Sequence, residues 1–360
     1  MICLCMIVKN ESKIIKRCLD SVKDIIDSWC IVDTGSTDNT KEIILKELCH
    51  IPGKLIERPW INFGHNRTEV YEYSKEFGDW ALLLDADMIL ENNLFNKNEL
   101  DLSYDSYYII QKDNFLKYYN IRLINLKKEW KCIGVTHEYW SILEKENKSN
   151  KITSLEILDI GDGGNKSEKF SRDIELLIKG ICKEPENIRY KFYLAQSYKD
   201  IGNYEVAIPW YEECSKNSKW DEESWYSDYM IANCLSKLNN HISEIEKAVF
   251  KAWIKRPWRI EPLLLLNNEY KKKNNWIKSY YILKLCETIE YPKNDVLFIE
   301  HNKYGEFIID ELSIAAYNIN KLKESAEYIN RLLNTEYGKA NIERILNNKH
   351  LIEKAIYLNE

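Results

Sequence analysis

The chain has 360 residues, of which 45% are hydrophobic, and a formal net charge of −6 at pH 7. This length allows two or three domains, and the negative charge argues against a general nucleic-acid-binding protein. No apolar run is long enough to span a bilayer. Ten cysteines occur without a CxxC pair or a zinc-site spacing, which indicates reduced packing cysteines of a cytoplasmic protein and no structural zinc.

The first ninety residues alternate between short apolar runs and segments with helical spacing. Strands are predicted at Ile2–Val8, Trp29–Val32, Lys54–Glu57 and Trp80–Leu84. After the first run, apolar residues recur at helical spacing from Ile14 to Ile26. Strands that alternate with helices at this pace predict a parallel sheet with right-handed crossovers.

Polar residues follow each predicted strand at its carboxyl end. The clusters are Lys9, Asn10 and Glu11; Asp33 to Asp38, with Gly35 and Ser36; Asn66 and Arg67; and Asp85, Ala86 and Asp87. Ligands of parallel sheets bind beyond the carboxyl ends of the strands, so we expect the four clusters to form one binding site. Taken singly, each cluster is also explained by turn and helix-cap chemistry.

The acidic pair is suited to metal binding. Because alternate side chains of an extended chain point the same way, Asp85 and Asp87 would project together while Ala86 points elsewhere. Two adjacent carboxylates suit one divalent cation such as Mg²⁺ or Mn²⁺. Two solvated aspartates at the end of a strand would have the same spacing.

Four motifs of this half carry a family resemblance. They are Met6–Glu11, Val32–Thr40, Asn66–Arg67 and Leu84–Asp87. Together they resemble the nucleotide-binding half of a family 2 glycosyltransferase of the GT-A fold. The resemblance implies an inverting transferase whose DxD motif, Asp85 to Asp87, holds a metal against the diphosphate of a sugar nucleotide, usually a UDP-sugar. It also implies that Asp33 and Glu11 contact the base and ribose, and that Arg67 contacts the diphosphate or the DxD motif.

The next segment is rich in Tyr and Ile and has no helical period. Runs at Ser106–Gln111, Tyr119–Leu126 and Trp130–Glu138 predict an antiparallel continuation of the sheet. His137 and Glu138 stand among aromatic residues, where a carboxylate can act as a general base, although an exposed turn is also compatible with the pair. The resemblance to a Gly-x-x-His-Glu stretch of family 2 enzymes suggests Glu138 as the acceptor base and His137 as a metal or diphosphate contact.

A glycine-rich loop, Asp159–Lys166, supplies a competing carboxylate. Its glycines permit positive φ and close backbone approach, as in a loop folded over a ligand, and a domain linker explains them equally well. Asp162 is therefore the alternative catalytic base. Relatives with this loop often have a histidine where Asp159 stands, which leaves open whether Asp159 is a third metal ligand.

From Lys166 onward the apolar period is helical. Residues 188–219 have spacings close to the tetratricopeptide pattern of about 34 residues, and related patterns appear at Leu266–Cys286 and Ile314–Leu333. Paired antiparallel helices stacked as a short solenoid are predicted, with a capping helix at Ile342–Leu358. The segment Arg256–Pro262 could lie at an acceptor entrance or form a rigid turn between repeats.

These patterns predict an α/β GT-A domain with a Rossmann-like mixed sheet over residues 1–165 and an all-α tetratricopeptide-like solenoid over residues 166–360. The expected function is metal-dependent inverting transfer, with Mn²⁺ or Mg²⁺, from a nucleotide sugar to a hydroxyl of a glycan, protein or lipid. Two alternatives remain: a non-enzymatic helical scaffold with a decayed transferase domain, and a sugar nucleotidyltransferase, which also uses paired carboxylates and a metal. The donor sugar and the oligomeric state do not follow from the sequence.

Overall fold

The computed structural model describes residues 1–113, 117–143, 147–163 and 169–359. The chain divides into two compact units, Met1–Lys183 and Glu184–Glu360. The boundary predicted between residues 165 and 166 lies outside the described residues and stays a prediction. Within the described ranges, every helix is too short or too polar to cross a lipid bilayer.

The first unit is built on an eight-stranded mixed sheet. The strands of the unit are β1 (Ile2–Val8), β2 (Ser28–Asp33), β3 (Gly53–Glu57), β4 (Trp80–Leu83), β5 (Met88–Asn92), β6 (Ser106–Lys112), β7 (Lys117–Asn125), β8 (Trp130–Ile133), β9 (Tyr139–Ile142) and β10 (Ser149–Asp159). The order across the large sheet is β3-β2-β1-β4-β7-β6-β10-β5. Strands β1 to β4 are mutually parallel, which confirms the predicted parallel core and brings their carboxyl ends to one edge.

Helices cover both faces of this sheet. The helices of the unit are α1 (Ile15–Val22), α2 (Thr40–Glu47), α3 (Phe63–Ser74) and α4 (Lys169–Lys183). Alternate residues of a strand face opposite sides: Leu4 lies in the core cluster that includes α1 and α2 residues, whereas Cys5 lies in the cluster that includes Tyr71 of α3. The apolar run of β1 is therefore buried on both faces, as a central parallel strand should be.

Part of the predicted strand pattern is wrong. The strand expected over Trp130–Glu138 ends at Ile133, and β8 pairs with β9 in a separate two-stranded sheet instead of extending the large one. Gly134 and His137 have φ angles of 121° and 49°, so the chain turns sharply between these strands. Strands β5 and β10 were not predicted, and they complete the far side of the sheet.

The second unit consists of stacked helices. They are α5 (Ile188–Asp200), α6 (Tyr204–Asn217), α7 (Asp221–Lys237), α8 (Ile242–Lys255), α9 (Glu261–Lys272), α10 (Trp276–Glu287), α11 (Glu306–Asn318), α12 (Leu322–Leu332), α13 (Glu336–Ala340) and α14 (Ile342–Asn359). Helices α5 to α12 pack as four consecutive pairs, and α7 also contacts α5 and α9. The predicted solenoid and its terminal helix are confirmed.

The same turn joins the two helices of all four pairs. Each turn contains one residue with a left-handed backbone: Gly202, Asn239, Asn274 and Asn320, with φ between 54° and 81°. The next N–H donates to the carbonyl five positions earlier, at 2.9–3.0 Å. This bond is the mark of a Schellman C-cap, which takes glycine or asparagine at the left-handed position. The repeat is therefore a repeat of turn chemistry as well as of apolar spacing.

A fully buried arginine fixes the segment between α10 and α11. Arg259 is 0% exposed and donates hydrogen bonds to Glu261 at 3.0 Å, to Asp295 at 3.2 Å and to the carbonyl of Leu297 at 3.2 Å. A buried charge persists only where it is paired and hydrogen-bonded. For Arg256–Pro262, these contacts favour the rigid turn between repeats.

Arg259→Ala should lower the free energy of unfolding by about 3–5 kcal/mol, because Glu261 would remain as a buried carboxylate without its cation. Asp295 would keep only its pair with Arg256. Arg331→Ala is the matched control, since it removes an exposed pair with Glu287 and should cost less than about 1 kcal/mol. Chemical denaturation of both variants measures the difference. Equal stabilities would contradict the structural role of Arg259.

Candidate functional site

The loops that follow β1 and β2 are joined by hydrogen bonds. Asn10 accepts from the N–H of Thr37 at 2.7 Å, and its own N–H donates to the hydroxyl of Ser36 at 2.9 Å. The N–H of Glu11 donates to the hydroxyl of Thr40 at 2.8 Å. The structure thus brings the predicted residues Asn10, Glu11 and Ser36 together at the edge of the sheet.

Asp38 holds the outer part of the same loops. Its carboxylate accepts from the N–H of Ser12 and from the N–H of Thr40, both at 3.1 Å. Burial alone would raise the pKa of Asp38, but the hydrogen bonds outweigh burial and lower the pKa to about 2. The carboxylate is therefore charged at neutral pH. Lys9, also predicted to bind the donor, is exposed at the end of β1.

Asp33 closes the turn after β2 and is 0% exposed. Its Oδ1 accepts from the N–H groups of Gly35 at 2.9 Å and Ser36 at 2.7 Å. Gly35 has a φ of 106°, which favours glycine there. The other oxygen, Oδ2, is buried and has no hydrogen-bond partner among the described residues. An unpaired buried acceptor costs about 1–3 kcal/mol, so a ligand donor would be stabilised at this atom.

Arg67 joins two carboxylates that are far apart in the sequence. Its Nη2 donates to Oδ1 of Asp85 at 2.7 Å, and its Nε donates to Oε1 of Glu138 at 2.6 Å. Burial opposes the charge of Arg67, but Asp85 and Glu138 outweigh it and raise the pKa of the guanidinium. Burial alone would likewise raise the pKa of Asp85, and the cations Arg67 and Arg122 lower it instead.

The acidic pair lies in the turn between β4 and β5. The N–H of Met88 donates to the carbonyl of Asp85 at 3.1 Å, so the chain turns here and is not an extension of β4. Ala86 is 5% exposed and belongs to the core, whereas Asp85 and Asp87 are half-buried. The predicted separation of Ala86 from the two carboxylates is confirmed, although a turn produces it.

Asp87 lies near two other carboxylates. Burial raises the pKa of Asp87, and the carboxylates of Asp85 and Asp159 raise it further. A divalent cation would offset this repulsion, and carboxylate oxygens are ligands that Mg²⁺ and Mn²⁺ prefer. The donor set therefore fits such a cation.

The predicted metal set of Asp85, Asp87 and His137 is not assembled. Among the described residues, no three His, Cys, Asp or Glu side chains lie close enough to share one metal ion. The side chain of His137 is exposed, in a turn with positive φ. The acidic turn thus offers two carboxylates, and further ligands would come from water or from a bound substrate.

Glu138 is held near Arg67 by the docking of α3. The N–H of Gly64 donates to the carbonyl of Gly134 at 3.0 Å. A Cβ on Gly64 would lie 2.3 Å from that oxygen, so only glycine allows this approach. Because Gly134 begins the turn that ends at Glu138, the start of α3 fixes the position of the carboxylate that Arg67 meets.

Asn66 was expected to contact the donor, and the structure places it in the interior. It is 0% exposed. Its amide donates to the carbonyl of Pro59 at 3.0 Å and accepts from the N–H of Ile61 at 3.0 Å. Asn66 therefore holds the loop that precedes α3, and its contact with a donor stays a prediction.

Asp162, the alternative base, pairs with Arg17. Nη1 and Nη2 of Arg17 donate to the two carboxylate oxygens at 2.9 and 2.7 Å. Residues 164–166 of the predicted glycine-rich loop, Gly164, Asn165 and Lys166, lie outside the described residues. Asp162 and Glu138 thus each pair with a different arginine.

Three polar residues near the acidic turn were not identified from the sequence. Arg17 pairs with Asp162, as described above. Arg122 donates to Oε1 of Gln111 at 2.6 Å, and Gln111 donates to Asp159 at 2.8 Å. Burial lowers the pKa of Arg122. Gln111 and Arg122 lie on the paired strands β6 and β7, where no sequence motif marks them.

Comparison with known proteins shows what the first unit is similar to. Residues 3–158 match the family model described as glycosyl transferase family 2. The SPbeta prophage-derived glycosyltransferase SunS of Bacillus subtilis (strain 168) is 28% identical to the chain over 256 residues. That alignment covers 66% of this chain and 59% of SunS, so less than two thirds of the relative is matched.

Other similar proteins match a shorter stretch of the chain or match it at lower sequence identity. An uncharacterised glycosyltransferase of Rickettsia conorii is 32% identical over 113 residues, which are 31% of this chain and 36% of that protein. The crystal structure of the C-terminal part of a TPR repeat-containing protein from Cytophaga hutchinsonii superposes with a TM-score of 0.43 and 15% identity. That superposition covers 54% of this chain and 69% of the other.

Gly64→Ala should destabilise the protein, although alanine normally stabilises a helix over glycine by about 0.5–1 kcal/mol. The added Cβ would overlap the carbonyl oxygen of Gly134 and push α3 away from the turn that carries Glu138. Thermal unfolding measures the effect, with Glu72→Ala on the exposed side of α3 as the control. A Gly64→Ala protein that is more stable than the wild type would show that α3 does not dock this closely.

Proposed function

We propose that this chain, whose residues 3–158 match the glycosyl transferase family 2 model, transfers a sugar from a UDP-sugar to an acceptor hydroxyl with inversion at the anomeric carbon. The observation that supports it best is the bridge through Arg67. One guanidinium pairs with Asp85 of the acidic turn and with Glu138. A donor-side carboxylate and an acceptor-side carboxylate are therefore separated by one side chain.

The nucleoside of the donor would lie at the loops after β1 and β2. The unpaired Oδ2 of Asp33 is an acceptor, and the N3–H of uracil is a donor that would match it. Asn10, Glu11 and Ser36 surround the same turn. Because hydrogen bonds already fix these loops, little conformational entropy would be lost when the nucleotide binds.

The acidic turn would hold Mn²⁺ or Mg²⁺ through Asp85 and Asp87. A cation bound there supplies charge neutralisation for the departing nucleoside diphosphate. Arg67 and Arg122 both lower the pKa of Asp85, so Asp85 is ionised at neutral pH and available to a cation. Arg67 would add a fixed positive charge beside the same diphosphate.

Glu138 would act as the general base. It would take the proton of the acceptor hydroxyl while that oxygen attacks the anomeric carbon from the face opposite the diphosphate. The bond between the anomeric carbon and the diphosphate oxygen breaks in the same step, which inverts the centre. Arg67 orients the carboxylate at 2.6 Å, and general-base catalysis of this kind contributes about 10²–10⁴-fold in rate.

The acceptor would be a glycan, a protein or a lipid that presents a hydroxyl group, and the protein would act in the cytoplasm. All ten cysteines are free and eight of them are buried. Reduced cysteines of this kind are usual where glutathione keeps thiols reduced, which supports the proposed location.

Removal of divalent metal should abolish turnover. The release of UDP from UDP-glucose and UDP-N-acetylglucosamine can be followed with Mn²⁺ and again with EDTA. Asp87→Asn should lower kcat/KM about 10²–10³-fold, because the diphosphate loses charge stabilisation. Equal rates in Mn²⁺ and EDTA would contradict metal dependence.

Glu138→Gln should lower kcat about 10²–10⁴-fold, because the amide cannot accept the proton of the acceptor. The matched control is Glu129→Gln: Glu129 lies in the same region but is 64% exposed and pairs with Lys75. The assay is sugar transfer to acceptor, with donor binding measured separately by calorimetry. Undiminished transfer by Glu138→Gln would remove Glu138 from the role of base.

Asp33→Asn should change the preference for the nucleotide base. The Oδ1 of asparagine can keep the bonds to Gly35 and Ser36, while its NH₂ group replaces the unpaired acceptor. This NH₂ group is a donor and cannot accept from the N3–H of uracil, but it can donate to N3 of cytosine. UDP binding should weaken about 10-fold or more relative to CDP, as expected for about 1–3 kcal/mol per mismatched buried group. Calorimetry with both nucleotides tests this, and an unchanged ratio would contradict the contact.

A further inference from the structure

A cation on α1, Arg17, pairs with Asp162 and has no role in the reaction as proposed. Arg17 forms a bidentate ion pair with Asp162, in which both carboxylate oxygens accept hydrogen bonds, at 2.9 and 2.7 Å. The side chains are 35% and 38% exposed. Bidentate pairs between arginine and carboxylate fix geometry as well as charge.

The segment Ile160–Gly163, which carries Asp162, runs along Asp87. The N–H of Ile160 donates to the carbonyl of Asp87 at 3.1 Å. The N–H of Gly163 donates to Oδ2 of the same residue at 3.4 Å. A Cβ on Gly163 would lie 3.0 Å from that oxygen. The segment therefore contacts both the backbone and the carboxylate of the residue expected to bind metal.

Helix α1 also contacts the acidic turn directly. The thiol of Cys18 donates to the carbonyl of Asp85 at 3.4 Å. The hydroxyl of Ser21 accepts from the N–H of Leu90 at 3.0 Å. Arg17 precedes these residues in the same helix, so one rigid element contacts the acidic turn and the segment that lies along it. The pair of Arg17 and Asp162 closes this ring of contacts.

We propose that Arg17 is a positioning residue of the donor site: by holding Asp162, it keeps Ile160–Gly163 against Asp87 and fixes the Asp87 carboxylate for the metal and the diphosphate. The inference rests on the proposed function and decides between the two candidate bases. Asp162 becomes a positioning carboxylate, because both of its oxygens are held by Arg17. Glu138, with one oxygen paired to Arg67, remains the base.

The effect should appear in ligand binding more than in stability. An exposed ion pair contributes little to the free energy of folding. Residues that orient metal ligands, in contrast, change metal affinity about 10–100-fold when they are removed. Gly163 donates directly to the carboxylate of Asp87. A looser Ile160–Gly163 segment would therefore lower the affinity of Asp87 for the metal.

The test compares Arg17→Met, Asp162→Asn and the double variant. Calorimetry of UDP in the presence of Mn²⁺ should show about 10-fold weaker binding for each single variant. The double variant should be no weaker than either, because both changes remove the same pair. Lys16→Met is the matched control: the Lys16 side chain is 56% exposed and pairs with Asp20 and Glu47, and the variant should bind UDP as the wild type does.

Two further measurements separate positioning from general structural damage. Hydrogen exchange of the Ile160 and Gly163 amides should be faster in Arg17→Met than in the wild type, with the rest of the sheet unchanged. In turnover assays, KM for the donor should rise while kcat changes only a few-fold. Arg17→Lys keeps the charge without the planar fork, and it should recover part of the lost affinity.

Three results would overturn the inference. They are wild-type UDP affinity in Arg17→Met, unchanged exchange of the two amides, and a loss of kcat of about 10³-fold or more in Asp162→Asn but not in Arg17→Met. The last result would make Asp162 the base. A wild-type protein that does not bind UDP with Mn²⁺ would instead reject the proposed function, and amide exchange would still decide whether Arg17 holds the segment.

Discussion

The site in the first unit depends on the charge of one half-buried arginine. Arg67 pairs with Asp85 and Glu138, and without it two acidic side chains would face each other in a partly dry environment. Such repulsion would separate the acidic turn from the turn that carries Glu138. The close approach of Gly64 to Gly134 brings the helix of Arg67 to this place, so backbone packing and ion pairing support the same arrangement.

Charge is distributed unevenly across the acidic turn. Two arginines outweigh burial at Asp85 and lower its pKa, whereas burial and two neighbouring acids raise the pKa of Asp87. The cations of the protein thus outweigh burial at Asp85, whereas at Asp87 burial and the neighbouring acids outweigh the hydrogen bond from Gly163. A divalent cation with its diphosphate would supply the missing compensation, and this asymmetry gives the two aspartates different tasks.

The parts of the fold that follow from local periodicity could be predicted from the sequence. The apolar runs of β1, β2 and β4 and the helix pairs of the second unit are examples, because burial on both faces or on one helical face leaves a regular pattern. Strands β5 and β10 could not be predicted in this way, since their pairing depends on residues more than fifty positions apart. Strand β8 ends at the turn that begins with Gly134, although the composition of the following residues predicts that the strand continues to Glu138.

Residues of the candidate site could be predicted only where a short sequence motif indicates their chemical role. Asp33, Asp85 and Asp87 can be selected from the sequence because they are acids at the ends of predicted strands. Glu138 can be selected because it stands beside His137 among aromatic residues. Asn66 has the same polarity as a ligand-binding residue, yet it holds a loop through backbone bonds. Arg17 had no local signal, because its partner lies 145 positions away.

The most direct test of the proposed donor site is a crystal structure of the protein with Mn²⁺ and UDP, with the metal located by anomalous scattering. We expect the metal beside Asp85 and Asp87, the uracil next to Asp33, and the diphosphate within reach of Arg67. A metal or nucleotide bound elsewhere, with the acidic turn and Asp33 left without ligand, would contradict it.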